Sequence, residues 1–130
     1  MATRATRKTG WVTLVGILFL IGGAFNAIWG LAAVGVGLGG TDSTVLGDTD
    51  VGNIVFLGII GMAIGGLQLV AAFGIFGRVP SARVLGLVLA IAAVLVNFGY
   101  HRVLDGWAFS GLFVNAVIIL ILCLRGEEFN

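Results

Sequence analysis

Four amides are the polar side chains of this sequence that stand deep inside long apolar stretches: Asn26, Gln68, Asn97 and Asn115. An amide carries donors and an acceptor together. Converging amides can therefore hold a neutral or weakly polar solute, and amides on neighbouring helices can equally satisfy one another. No Asp, Glu, Lys or Arg accompanies them at depth, so the ionisable relay used by proton- or ion-coupled pumps is missing. A second group of titratable residues, His101, Arg102 and Asp105, sits on a short turn, with Asp42, Asp48 and Asp50 on another loop. One His with several carboxylates is a donor set a divalent metal can use, but this spacing matches no metal motif and reads as a solvated interfacial turn. The run Gly35-Val36-Gly37-Leu38-Gly39-Gly40 follows an apolar helix instead of a strand and lacks the Lys of a phosphate loop, so it reads as a flexible exit from the membrane. Cys123, the sole cysteine, has no disulfide partner in its own chain and reads as a small apolar filler near a helix end, with lipidation as the alternative. No nucleophile is set beside a base. The expectation is a protein that is not an enzyme, with no catalytic residue, no metal and no cofactor.

The elements that position the amides follow from where charge is absent. Thr9–Thr41, Val51–Gly77, Val84–His101 and Gly106–Leu124 contain no Asp, Glu, Lys or Arg over 33, 27, 18 and 19 residues. A helix of about 20 apolar residues crosses a hydrocarbon core about 30 Å thick. Mean hydropathy is +1.16 and only 10% of residues are charged, whereas a soluble domain carries about 25%. The sequence predicts an all-α integral membrane four-helix bundle with antiparallel neighbours, its helices near residues 11–34, 53–77, 81–100 and 107–124, forming a single transmembrane domain over residues 1–130. Arg4-Ala5-Thr6-Arg7-Lys8 before an apolar run, with Ala32-Ala33 beyond it, imitates a signal peptide. A signal core spans only about 7 to 15 residues, so the first segment is expected to remain as a helix. The seven scattered cations form no basic stripe, which argues against nucleic acid as a partner.

Lys and Arg gather on the cytoplasmic side of short-looped membrane proteins. Arg4, Arg7, Lys8, Arg78, Arg83 and Arg125 fall on one side and Arg102 alone on the other, which predicts both termini in the cytoplasm of a multi-pass plasma-membrane protein. Asn26, Asn97 and Asn115 then lie in the outer half and Gln68 in the inner half. Trp11 and Trp29 can occupy opposite interfaces of the first helix, and Tyr100 and Trp107 join the outer belt. Gly77 can end the second helix and Pro80 can begin the third.

Small residues recur at helical spacing. Gly16, Gly23 and Gly30 stand seven apart; Gly58, Gly61 and Gly65 step by three and four; Gly86, Ala90 and Ala93 do likewise on the third helix. Each set shares one helix face, and small faces let helices approach closely in lipid. Gly22 and Gly66 widen this surface sideways, toward a second copy or another membrane subunit. The basic tail with Arg4, Arg7 and Lys8 is expected to contact the same partner.

Gly10-Trp11, the Gly16 to Gly23 spacing, Phe25-Asn26, Trp29-Gly30-Leu31, Gly66-Leu67-Gln68-Leu69-Val70-Ala71-Ala72-Phe73 and Ala82-Arg83-Val84-Leu85-Gly86 resemble a family of small actinobacterial four-helix membrane proteins, a domain of unknown function. The likeness covers about Gly10 to Leu124. It implies a fold and a membrane location, with no activity. The chain departs from that pattern at Gly52-Asn53, where a Trp is expected, and at Asn115, where the fourth helix is expected to carry an acidic residue after a Pro.

The favoured function is a structural or accessory subunit, self-associated or part of a larger membrane protein complex, with membrane lipids around it. A small channel or carrier lined by the four amides is the first alternative. A lipid- or quinone-binding membrane protein is the second.

Overall fold

The computed structural model describes residues 10–39, 51–100 and 105–129, with side-chain surroundings for 10–39, 52–95 and 112–129. Its helices are α1 (Gly10–Gly39), α2 (Val51–Phe76), α3 (Pro80–Tyr100) and α4 (Asp105–Leu124), followed by one 3₁₀ turn, Gly126–Phe129. Among the described residues there is no strand.

Two helices, Gly10–Gly39 and Gly52–Phe76, are long and apolar enough to cross a membrane. The apolar parts of α3 and α4 within the described residues are shorter, Pro80–Leu95 and Leu112–Leu124. α1 continues through Gly35 and Gly39, so this segment is not the flexible exit its glycines suggest. Each glycine costs a helix about 1 kcal/mol relative to Ala, yet no Pro interrupts the run and an apolar backbone is best satisfied by its own hydrogen bonds. At 1.5 Å per residue, the 30 residues of α1 reach about 45 Å.

Contacts divide the chain into two units. Of the described residues, one holds those up to Phe19 and from Val70 onward, and the other those between Leu20 and Leu69. The core of the first unit gathers Val15 and Phe19 of α1, Ala72 and Ile75 of α2, Ala90 of α3 and Leu122 of α4, all buried. Gly86 is what lets α3 into this core: a Cβ there would lie 3.1 Å from Leu122 Cδ1, 3.3 Å from Ile75 Cδ1 and 3.4 Å from Phe19 Cε2. Gly16 performs the same service for the ring of Phe76. In the second unit Ala33 and Ile54 are buried, while Ile21, Phe25, Ile28 and Leu31 form an exposed apolar face of α1.

The turn between α2 and α3 is only Gly77–Val79. The Val79 N–H donates to the Gly74 carbonyl (2.8 Å) and the Arg78 N–H to the Ile75 carbonyl (3.0 Å), the paired bonds of a Schellman cap. The left-handed residue of that cap is Arg78, at φ 55°, where Gly77 is the residue the sequence would nominate. Val79 then accepts from the Ala82 N–H, and Pro80 occupies the first helical position, where its missing N–H is harmless.

Candidate functional site

Within the second unit, α1 and α2 run antiparallel at backbone contact. A Cβ added at Gly65 would lie 2.6 Å from the Ala27 amide nitrogen and 2.7 Å from the Gly23 carbonyl oxygen. One added at Gly23 would lie 2.9 Å from the Gly65 carbonyl oxygen and 3.0 Å from the Leu69 nitrogen. Two turns along, Gly58 meets the Gly30 carbonyl at 2.7 Å by the same measure, and Gly30 meets the Met62 nitrogen at 2.6 Å. Gly61 is looser, 3.3 Å from the Trp29 ring. Glycine therefore faces glycine twice, seven residues apart on both helices, so the close approach recurs every two turns.

The polar pair stands beside this contact. Asn26 Nδ2 donates to Gln68 Oε1 at 2.7 Å, both side chains being half-buried. Gln68 Cβ lies 3.1 Å from the Cβ position of Gly23, about one turn along α1 from Asn26, and the longer Gln side chain covers that offset. It lies across Gly22, whose Cβ position is 3.9 Å from both amide heavy atoms. Asn115 is half-buried on α4 in the first unit, and the side chain of Asn97 lies outside the described residues.

A second polar arrangement closes the end of the first unit. Arg78 pairs with Glu128 across fifty positions of sequence, and Arg83 Nε donates to the Leu122 carbonyl at 2.9 Å. That carbonyl belongs to the last turn of α4, where no further helical N–H reaches it. Gly126 leaves room for the Arg83 guanidinium, and Phe129 beyond it is 2% exposed. The sequence marks none of these partners, since the residues that meet are far apart along the chain. Gly74 was also hidden: it bears directly on Ala82, yet its neighbours give it no stripe of its own.

Of the other expected site residues, Ala90 is buried and Ala93 half-buried on α3. Arg4, Arg7, Lys8, His101 and Arg102 lie outside the described residues, as does the Asp105 side chain. Cys123 is exposed on α4 and fills no core position, because the inward face there belongs to Ile121 and Leu122. Gly66 has no atom within 4 Å of its Cβ position. Among the described residues no three His, Cys, Asp or Glu side chains are grouped to hold a metal ion.

A family model described as Domain of unknown function (DUF7144) matches residues 11–127. Comparison with curated proteins and with solved structures finds no match.

Proposed function

Because the chain belongs, over residues 11–127, to the Domain of unknown function (DUF7144) family, whose description assigns no activity, we propose from its residues that it is a structural or accessory subunit of the plasma membrane. In this reading it is a multi-pass protein, associated with itself or with a larger membrane complex, and performs no reaction. The observation that carries the proposal is the Asn26–Gln68 hydrogen bond. A solute path needs polar groups turned toward a lumen, whereas these two amides are turned on each other. The exposed apolar faces, such as Ile21, Phe25, Ile28 and Leu31, suit lipid or another helix. The basic tail with Arg4, Arg7 and Lys8 supplies a further contact to the partner chain.

The amide pair gives the test. Asn26→Leu and Gln68→Leu should each lower stability by about 1 kcal/mol by stranding the other amide, and the double variant should cost less than the two together. Purified from membranes under native conditions, the double variant should retain the same second copy or co-purifying subunit as the parent. Removing Ala2 to Lys8 should weaken that recovery with the helices still inserted. A monomeric double variant that has lost a solute flux present in the parent would overturn the proposal in favour of a carrier.

Orientation is a separate expectation, with both ends in the cytoplasm because six of the seven basic residues share that side. In a Cys123→Ser background, an impermeant thiol reagent added outside should label Ser43→Cys and spare Ser81→Cys. The reverse pattern would invert the topology.

A further inference from the structure

The turn Gly126–Phe129 is tied to the α2–α3 turn by an ion pair of a kind that a ligand could replace. Glu128 brings a carboxylate to Arg78, and the two side chains are 15% and 19% exposed. Phe129 anchors the turn by entering the core of the first unit. Arg78 stands at φ 55°, a left-handed backbone region that a non-glycine residue occupies only at a cost. A glycine would form this cap more easily, so what arginine adds at this position is its guanidinium. Five residues on, Arg83 lies over Gly126 and bonds the Leu122 carbonyl through Nε. Two guanidinium groups therefore stand at one end of the unit, one of them closed by an anion that the chain carries on its own last turn.

We propose that Gly126–Phe129 is a strap occupying an anion site at Arg78, and that a phosphate ester competes with Glu128 for that site. A phosphate matches the planar fork of Arg at least as well as a carboxylate does, with one negative charge in a diester and more in a monoester. On the membrane reading above, on which this inference rests, Arg78, Arg83 and Arg125 lie at the cytoplasmic interface, where anionic headgroups present phosphates at high local density. Exchange of Glu128 for such a phosphate removes one tether of the strap and raises the fraction of molecules in which Phe129 has left the core. The result is a protein whose last turn reports the charge of its surroundings. A single 3₁₀ turn with one aromatic anchor belongs to the low-stability end of a fold, which is where such opening occurs.

Hydrogen exchange of the Ile121–Phe129 segment tests this, because the Arg125 N–H is bonded to the Ile121 carbonyl (2.9 Å) and the Glu128 N–H to the Arg125 carbonyl (3.1 Å). In nanodiscs of zwitterionic phosphatidylcholine, whose phosphodiester is paired with its own choline and adds no net surface charge, the segment should be protected, and in nanodiscs containing phosphatidylglycerol it should exchange about tenfold faster. Glu128→Gln should exchange fast in both lipids. Arg78→Gly, which relieves the backbone while removing the guanidinium, should do the same with its helices intact by circular dichroism. Neutral nanodiscs supplied with soluble glycerol phosphate separate the two sources: faster exchange there assigns the site to soluble esters, and no change assigns it to headgroups. Equal protection of the parent under all three conditions would overturn the strap as a competitor of phosphate. Failure of the parent to enter any nanodisc would instead overturn the membrane reading, and the glycerol phosphate comparison in detergent would then decide the anion site by itself.

Discussion

Gly65→Ala is expected to be among the most damaging single-methyl additions in the chain, costing about 3 kcal/mol or more. Its new Cβ would meet backbone atoms of α1, the Ala27 nitrogen at 2.6 Å and the Gly23 oxygen at 2.7 Å, and backbone cannot swing aside. The atoms nearest the new Cβ of Gly86→Ala are side-chain atoms of Leu122, Ile75 and Phe19, the first at 3.1 Å, so it should cost about 1 kcal/mol. Gly66→Ala enters open space and should be neutral or slightly stabilising, by up to about 1 kcal/mol, through the better helix propensity of Ala. Titration of the three variants with a denaturing detergent, read by circular dichroism, gives the order. If Gly65→Ala and Gly66→Ala melt alike, α1 and α2 do not meet along this face.

Phe129→Ala is the second large effect, a loss of about 3 kcal/mol in the first unit, because the ring is 2% exposed and a cavity would replace it. Phe113, 73% exposed on α4, provides the comparison, and its truncation should cost less than about 1 kcal/mol. Similar losses from both variants would show that the last turn is not seated in the core.

The helices could be read from sequence because charge is confined to their edges, and the faces of α1 and α2 because Gly23, Gly30, Gly58 and Gly65 are spaced by whole heptads. What spacing lacks is the partner. Nothing local says that Gly65 meets Gly23 or that Gln68 reaches Asn26, since the pairing depends on how the two helices slide past one another. The turn was half legible. Gly77 and Pro80 mark its ends, but the left-handed residue is Arg78, whose backbone cost is offset by Glu128 fifty positions away. The last turn of the chain was the least visible, because Glu127-Glu128-Phe129 has no periodicity and acquires its meaning only from Arg78 and from the core that receives Phe129. The end of α1 departs from its composition for the opposite reason. Its glycines invite a loop by composition, but hydrogen bonding within an apolar segment outweighs the propensity of single residues.

The repeat of glycines on α1 and α2 leaves an ambiguity that the amide pair resolves. A slide of one heptad would again bring small residues together, Gly30 against Gly65 and Gly37 against Gly58, so glycine packing alone defines a ladder of nearly equivalent rungs. On the neighbouring rung Asn26 would face Ile75 and Gln68 would face Ala33, leaving both amides to apolar neighbours. Only one rung lets Asn26 donate to Gln68. The hydrogen bond contributes little to stability, about 0.6 kcal/mol on average for such contacts, but it acts as the index mark of a vernier, selecting one alignment among several that shape alone cannot tell apart.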